Sequence, residues 1–244
     1  MQLERRTERS SLSKDMVVAQ SNQLVQSSYS LTLNEQRLLY AAAAMHDSRK
    51  PIPEKGTVTV TAADFADVFG IDRDHAYEAM DDAARRFYNR SIRIIGKGPK
   101  GSIERNVRWV WMCEYRNNEG AVLIGFSPAI APHLTLLREQ FTILKLEQVG
   151  ALSSQYAMRI FALCGQYRSI KERSFMVEEF RSMLDLGDKY ESVNELRRRI
   201  IDPSVEEISS ETDMALSYEP KRKGRKIIGF RFIIGFNEQP RLLL

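Results

Sequence analysis

Hydrophobic and polar positions along the chain follow helical and strand periods, and the order of these elements occurs twice. Apolar residues spaced by three and four predict helices over residues 34–45, 62–69, 75–89, 154–167, 177–186 and 191–210. Short alternating or continuous apolar runs predict strands over residues 58–60, 91–95, 107–115, 122–126, 215–218 and 227–234. This order is typical of an α+β fold with two tandem winged-helix (winged helix-turn-helix) domains related by pseudo-duplication.

Capping residues mark several of the predicted helix ends. Thr32, followed three residues later by Glu35, has the spacing of a capping box. Thr61 is predicted to cap the next helix, and Gly70 to end it in the left-handed conformation that glycine adopts without steric cost. Ser153 is the predicted N-cap of the long helix in the second half.

Weaker patterns set the predicted domain limits. Residues 1–15 are polar and charged, which predicts a mobile N-terminal tail. The stretch FSPAIAPHLTLLREQF is predicted to be helical after Pro128, and TILKLEQVGAL to be a connector with strand character. We therefore predict a first winged-helix domain over residues 16–140 and a second over residues 141–244.

The segment over residues 191–210 is predicted to be a helix with one apolar side. At about 100° per residue, Val193, Leu196 and Ile200 fall together, as in a helix that packs on a core. Pro203 lies inside this segment, where proline loses a backbone hydrogen bond. Two interpretations stay open: the helix stops near Ile201 and Pro203 begins another, or one helix kinks there.

The opposite side of this helix carries residue types that recognise DNA. Arg198 points nearly away from the apolar side, Asn194 lies near it, and Arg197 and Arg199 flank the helix. Arginine and asparagine recognise guanine and adenine edges in the major groove, and flanking arginines suit phosphates. The alternative is that the three arginines only solvate a surface helix.

The neighbouring segments favour DNA binding over that alternative. A short amphipathic helix precedes the arginines, and Gly187 with Asp188 supplies a turn. The hairpin over residues 221–226 carries five positive charges in six residues. Together these segments predict a winged helix-turn-helix with a basic wing.

The corresponding helix of the first half has a different charge pattern. Its acidic residues are Asp72, Asp74, Glu78, Asp81 and Asp82, and its basic residues near the end are Arg85, Arg86 and Arg90. The loop after it, with Lys97 and Lys100, is a plausible wing. We expect this domain to contact the DNA backbone or to serve mainly for dimerisation. The second domain is then the main sequence-specific DNA-binding domain.

Composition adds limits on compartment and chemistry. Lys and Arg number 36 against 32 Asp and Glu, so the net charge of +4 is a weak signal for nucleic acid. Cys113 and Cys164 lie in apolar surroundings without close spacing, which favours a reducing compartment. No apolar run is long enough to span a membrane. We expect a soluble protein of the bacterial cytoplasm.

Candidate catalytic chemistry is sparse. His46, His75 and His133 lack metal-ligand spacing to one another or to cysteine. The loop GKGPKGS does not fit a phosphate-binding loop, because it lies between strands and lacks the required spacing. We predict neither an enzyme nor a cofactor or metal site.

Four long segments of the chain are QSNQLVQSSYSLTLNEQRLLY, REQFTILKLEQVGALSSQYAMRIFALCGQYR, LRRRIIDPSVEEIS and SYEPKRKGRKIIGFRF. Through these segments, residues 17–236 resemble the iteron-binding plasmid replication initiators of the Rep_3 type. The resemblance implies two winged-helix domains that bind direct repeats (iterons) in double-stranded origin DNA as a monomer and promote origin opening. It also implies recruitment of the host initiator ATPase and replicative helicase. It further implies a homodimer, joined through the first domain, that represses its own gene.

The resemblance places the recognition helix on the three arginines and adds Tyr190 beside Asn194. The predicted DNA-binding residues are therefore Tyr190, Ser192, Asn194, Arg197, Arg198, Arg199, Lys221, Arg222, Lys223, Arg225, Lys226, Arg85, Arg86, Arg90, Lys97 and Lys100. Two winged helices on one face of DNA would occupy grooves about one turn apart, so a monomer should cover ~20 bp.

Three alternatives stay open at this point. One is a dimeric transcriptional repressor without a role in replication, since winged helices alone do not separate the two functions. A tyrosine-dependent DNA nickase is disfavoured by the histidine count. A winged helix that binds only protein is the remaining alternative.

Overall fold

The computed structural model describes residues 11–53, 56–137 and 140–237. The chain divides into two compact units: Met1–Ser27 with Leu31–Gly150, and Ser28–Ser30 with Ala151–Leu244. The predicted boundary after residue 140 lies too early. Phe141–Lys145 pairs antiparallel with Val17–Ser21 near the start of the chain, and these backbone hydrogen bonds hold it in the first unit.

The first unit combines helices with three small antiparallel sheets. In chain order its elements are β1 (Val17–Ser21), α1 (Asn22–Gln26), α2 (Leu33–Ala44), β2 (Val58–Thr61), α3 (Ala62–Phe69), α4 (Arg73–Tyr88), β3 (Ser91–Gly98), β4 (Gly101–Arg108), β5 (Val110–Arg116), β6 (Ala121–Phe126), β7 (Phe141–Lys145) and α5 (Leu146–Ala151). The sheets are β1–β7, β2–β6–β5 and the hairpin β3–β4. The helix-turn-helix is α3 and α4, as predicted.

The capping predictions for this unit are confirmed. Thr32 and Glu35 form a capping box at the start of α2, since each side chain accepts a hydrogen bond from the other residue's backbone N–H. Thr61 caps α3 by accepting from the N–H of Asp64, and Gly70 ends it at φ 63°. These local interactions define where the helices begin and end independently of the core.

The predicted strand over residues 107–115 is two strands in different sheets. Trp109 interrupts it: the indole is fully buried, and its ring centroid lies 5.9 Å from that of Phe87. The Trp109 carbonyl accepts from the N–H of Ser127 at 3.0 Å. The chain therefore leaves the hairpin β3–β4 at Trp109 and enters the sheet β2–β6–β5.

The predicted helix after Pro128 is wrong. Within the described residues this stretch has only one 3₁₀ turn, Ala131–His133, with a proline at its start. Leu136 adopts a φ of 56°, and its N–H donates to the carbonyl of Ser48 at 2.7 Å. A partner far away in sequence therefore takes the hydrogen bond that a helix would need.

The predicted tail is shorter than 15 residues. Residues 1–10 lie outside the described residues, but Leu12 is buried and its N–H donates to Asp64 at 3.4 Å. The carbonyl of Lys14 accepts from the N–H of Glu147 at 3.0 Å. Residues 11–15 thus belong to the folded first unit, because one apolar side chain in a polar stretch finds a place in the core.

The second unit is built around one three-stranded antiparallel sheet. Its elements are α6 (Gln155–Gly165), β8 (Glu172–Met176), α7 (Val177–Met183), α8 (Val193–Leu196), a π-helical segment (Arg197–Ile201), α9 (Asp202–Glu211), β9 (Met214–Lys223) and β10 (Lys226–Phe236). The sheet order is β8–β10–β9. Phe175, Phe180, Phe230 and Phe232 are buried and form its aromatic core.

Two predicted helix ends in this unit shift. The N-cap of α6 is Ser154, not Ser153, and its hydroxyl oxygen accepts from the backbone N–H groups of Tyr156 and Ala157. Ser153 instead donates its hydroxyl to Glu207 of α9 at 2.7 Å. Helix α7 ends at Met183, and Leu186 reaches the core from the turn beyond it.

The two sheets show which hairpin is the wing of each unit. In the second unit the strand before the helix-turn-helix pairs with the last strand, which pairs with β9. In the first unit β2, β6 and β5 have the same relation, so β5 and β6 are the equivalent wing. The predicted first wing, with Lys97 and Lys100, is therefore an additional hairpin inserted between α4 and β5.

Glu35 generates a stability prediction for the first unit. Its carboxylate is fully buried, accepts from the N–H of Thr32 at 2.6 Å, and pairs with Arg90 at 2.9 Å. The Arg90 side chain is 40% exposed and can be solvated again, whereas the N–H of Thr32 would lose its capping acceptor. We expect Glu35→Ala to lower the free energy of unfolding by about 2 kcal/mol.

Urea unfolding followed by tryptophan fluorescence measures this loss. Both tryptophans of the chain, Trp109 and Trp111, lie in the first unit and therefore report on it alone. Glu78→Ala, at an exposed position of α4, is the control and should change stability by less than about 0.5 kcal/mol. Equal stability of the two variants would show that the buried carboxylate does not hold the first unit together.

Candidate nucleic-acid interface

The second helix of the helix-turn-helix begins at a serine cap. Ser192 Oγ accepts from the backbone N–H of Glu195 at 3.1 Å, which fixes the start of α8. The hydroxyl proton of Ser192 stays available, since the cap uses only the oxygen as acceptor. We call α8, the π-helical segment and α9 together the recognition helix.

The exposed side of the recognition helix carries Asn194 and Arg198, as the apolar pattern predicted, and Arg199, predicted to flank the helix, is exposed beside them. Leu196 and Ile200 are fully buried on the other side. Among the residues that the structure describes, neither exposed guanidinium has an ion-pair or hydrogen-bond partner. Both are therefore free to bind an external anion or a base edge.

Arg197 differs from its two neighbours. Its Nε donates to the hydroxyl of Tyr218 on β9 at 2.9 Å, and its guanidinium lies 5.8 Å from the centre of that ring. The Tyr218 hydroxyl in turn donates to Asp202. The hydrogen bond to Tyr218 raises the pKa of Arg197, and burial raises the pKa of Tyr218. The structure thus gives Arg197 an internal partner.

Pro203 is accommodated by a π turn, which neither sequence interpretation included. The backbone N–H of Asp202 donates to the carbonyl of Arg197, five residues earlier, and α9 follows without a break. Such a turn adds one residue to a helix. Because of the added residue, Ile201 is fully buried beside Ile200.

The core-facing positions before and after the π turn form two separate runs, each with the spacing i, i+3, i+7. The first is Val193, which is half-buried, with Leu196 and Ile200, and the second is Ile201, Ser204 and Ile208. In an uninterrupted α-helix the second run would be rotated by about 80° from the first. The π turn brings both runs onto the same core.

The turn before the recognition helix is held by one arginine. The Arg181 guanidinium of α7 donates to the carbonyls of Gly187 and Lys189, at 2.8 Å each, and to that of Tyr190. Tyr190 adopts a φ of 55°, and its ring meets that of Tyr156 edge-on at 6.3 Å. Three carbonyls converging on one guanidinium fix the approach of the chain to α8.

The basic wing is the tip of the hairpin β9–β10, as predicted. Lys221, Arg222, Lys223, Arg225 and Lys226 are all exposed. Gly224 makes the turn at φ 61°. A bulge near the base of the wing includes Gly229, where a Cβ would lie 2.3 Å from the carbonyl oxygen of Phe175. This bulge bends the strand and sets the direction of the wing.

The three predicted arginines of the first unit have internal partners. Arg85 pairs with Asp81 at 2.7 Å, and Arg86 pairs with Asp82 at 3.0 Å. Arg90 pairs with the buried carboxylate described above. Each of these ion pairs would have to open, at least in part, before the arginine could contact a phosphate.

The inserted hairpin carries the remaining predicted residues of the first unit. Lys100 is exposed at its turn. Lys97 pairs with Ser102 in the ladder, and its side chain lies outside what the structure describes. At the tip of the equivalent wing, Arg116 pairs with Glu114 at 2.8 Å and with Glu119 at 3.3 Å. The first unit therefore presents less unpaired positive charge than the second.

Three residues that organise the site were missed by sequence analysis: Arg181, Asp202 and Tyr218. Their partners come from other elements, so no local spacing marks them. Within the described ranges, no three His, Cys, Asp or Glu side chains group as a metal site. No helix in the described part of the chain is long and apolar enough to cross a membrane.

Comparison with known proteins identifies similar chains. A replication initiation protein of Escherichia coli is 26% identical over 218 residues, which cover 86% of this chain and 67% of the relative. The PI protein of Escherichia coli is 22% identical over 264 residues, covering 93% and 86% respectively. The crystal structure of the Pi initiator protein in complex with iteron DNA matches with a TM-score of 0.81 at 22% identity, over 93% of this chain and 100% of that chain.

Two family models cover most of the chain. The model for the WH1 domain of initiator replication proteins matches residues 17–165, and the model for the WH2 domain matches residues 176–234. These ranges agree with the two winged helices of the structure. The chain therefore belongs to the Rep_3-type family of initiator replication proteins.

Proposed function

We propose that this chain initiates plasmid replication by binding direct repeats (iterons) at the origin as a monomer, with the second unit as the main sequence-specific domain. The observation that carries the proposal is the exposed side of the recognition helix. There Asn194, Arg198 and Arg199 project away from the core, in the same unit as the exposed basic wing. The Pi initiator protein, which has the same fold, was crystallised with iteron DNA, and this supports the proposal.

The residue types of this surface suit two kinds of contact with a duplex. Arginine forms two parallel hydrogen bonds with guanine O6 and N7, and asparagine does so with adenine N6 and N7. We assign these contacts to Arg198 and Asn194, and phosphate contacts to Arg199 and the wing. Ser192 and Tyr190 flank the start of the helix, where N-terminal residues reach base edges in helix-turn-helix proteins.

We assign the first unit a smaller part in binding DNA. Its arginines at the end of α4 are paired with carboxylates, and those carboxylates would repel phosphates. Lys97 and Lys100 on the inserted hairpin remain candidates for backbone contacts. Dimerisation through this unit, and repression of the chain's own gene by the dimer, are supported by the family resemblance alone.

The proposal assigns no catalytic step to this chain. The family resemblance supports recruitment of a host initiator ATPase and a host replicative helicase, which would supply ATP hydrolysis and unwinding. The chain itself would contribute the binding energy that opens the origin locally. A dimeric repressor without a role in replication is the competing function.

A titration with two duplexes tests the proposal. One duplex carries a single direct-repeat unit from the DNA upstream of the gene, and the other carries an inverted repeat from its promoter; each spans at least ~20 bp. Native mass spectrometry gives the number of chains on each duplex. We expect one chain on the direct repeat, since each chain has two winged helices of its own.

The same titration separates the two functions. A monomer on the direct repeat supports initiation, and a dimer on the inverted repeat adds self-repression. Binding of a dimer to the inverted repeat, with none to single direct repeats, would leave a repressor and contradict initiation. Shuffled duplexes of equal length measure the nonspecific background.

Two substitutions should separate base contacts from phosphate contacts. We expect Arg198→Ala to cost about 1–3 kcal/mol of specific binding and to relax discrimination at one base pair. We expect Lys223→Ala to weaken specific and shuffled duplexes alike, and to reduce the salt slope of log K by about one unit. Fluorescence anisotropy titrations at several salt concentrations measure both effects.

Arg231→Ala is the matched control for both variants. Arg231 lies on β10 and is already paired with Glu172 at 3.2 Å, so its loss should leave binding and salt slope unchanged. Wild-type discrimination by Arg198→Ala would contradict the assignment of the exposed side. A loss of affinity in Lys223→Ala that is confined to the specific duplex would show that the wing contacts bases.

A further inference from the structure

Arg197, Tyr218 and Asp202 form a chain of hydrogen bonds next to the DNA-recognition residues. Arg197 Nε donates to the Tyr218 hydroxyl at 2.9 Å, and this hydroxyl donates to Asp202 Oδ1. The backbone joins the same two outer residues, because the N–H of Asp202 donates to the carbonyl of Arg197. Two separate connections, one through the backbone and one through Tyr218, therefore close the single π turn.

The position of Tyr218 is set by the sheet and not by the recognition helix. Tyr218 pairs with Phe232 across the β9–β10 ladder. Its ring centroid lies 5.8 Å from that of Phe230 and 5.8 Å from that of Phe232. The hydroxyl is thus a fixed point on a rigid element, and a helix bound to it takes its orientation from the sheet that carries the wing.

The π turn decides where the exposed side chains point. If residues 197–202 adopted ordinary α-helical geometry, the parts of the helix before and after the turn would rotate relative to each other by about 100°. Either Leu196 or Ile201 would then leave the core. Arg198 lies inside the turn, so its direction would change as well.

We propose that Tyr218 is a positioning residue for DNA recognition, which fixes the π turn through Arg197 and Asp202 and so sets the direction of Arg198 and Asn194. In this arrangement Arg197 serves the helix and not a phosphate, which removes it from the predicted contact residues. The inference rests on the proposed function, since it requires the exposed side of the helix to meet DNA.

The test uses Tyr218→Phe in the full chain, because phenylalanine keeps the ring contacts and removes only the hydroxyl. We expect affinity for the direct-repeat duplex to fall on the order of tenfold, as for loss of a hydrogen bond to a charged group. Affinity for a shuffled duplex and the salt slope should stay unchanged, since no phosphate contact is lost. Anisotropy titrations at several salt concentrations measure all three quantities.

Tyr167→Phe is the matched control. The Tyr167 hydroxyl accepts from Arg173 in the same unit, so the variant also loses a tyrosine–arginine hydrogen bond, but not one on the recognition helix. We expect it to bind both duplexes as wild type does. An equal loss of affinity for the direct-repeat duplex in Tyr167→Phe and Tyr218→Phe would mean that both substitutions only destabilise the second unit, and would overturn the proposal.

Arg197→Gln and the double variant test whether the two residues act together. If Arg197 acts through Tyr218, Arg197→Gln should lower specific affinity by a similar factor, and the double variant should be no weaker than the weaker single one. A shallower salt slope in Arg197→Gln, with equal losses on both duplexes, would show a direct phosphate contact and overturn the proposal.

Arg198→Ala in the same experiment separates this inference from the proposed function. If Arg198→Ala loses discrimination between the direct-repeat and shuffled duplexes while Tyr218→Phe keeps it, the positioning role is wrong and the proposed function stands. If neither variant nor Arg197→Gln changes discrimination, the exposed side of the helix does not recognise DNA, and both proposals are overturned.

Discussion

A proline inside a continuous helical segment imposes the constraint on which the recognition surface depends. Pro203 has no N–H to offer to the carbonyl of Arg199, and its ring would clash with the preceding turn of an α-helix. One wider turn between Arg197 and Asp202 removes the conflict without ending the helix. Because the apolar side chains on both sides of this turn reach the core, Arg198 and Arg199 within it are left facing solvent. The direction of the charges is therefore a consequence of packing.

The two units share one topology and use their cations in different ways. In the first unit the arginines at the end of α4 pair with aspartates one helical turn earlier, at Asp81 and Asp82. In the second unit Glu195 lies one helical turn before Arg199, but neither Arg198 nor Arg199 forms an ion pair among the described residues. The same scaffold thus gives one neutralised helix and one helix with available charge. One fold can thus carry different sites, because function depends on the residues at its exposed positions.

Much of the fold could be predicted from sequence because its elements end at local signals. The capping box at Thr32 and the left-handed Gly70 involve neighbours within a few residues, and both were correct. The errors share a different cause. Trp109 breaks a strand because its ring enters the core, and Leu136 leaves the helical region as its N–H bonds Ser48. In both cases a residue distant in sequence determines the local conformation, and no local sequence pattern indicates that contact.

In the DNA-binding site, too, positions set by local periodicity could be predicted and positions set by distant partners could not. Arg198 was placed correctly, since a helical period is enough to find the side opposite Leu196. Arg197 was not, because its partner Tyr218 lies 21 residues later on a strand. A signal for the distortion was nevertheless present in the sequence. The two core-facing runs of the recognition helix meet at the adjacent residues Ile200 and Ile201, two residues before Pro203. An unbroken α-helix would place one continuous run on the core. A π turn accommodates one additional residue in the helical pattern before a proline. An arginine at the start of such a turn points in a direction that the α-helical period does not predict.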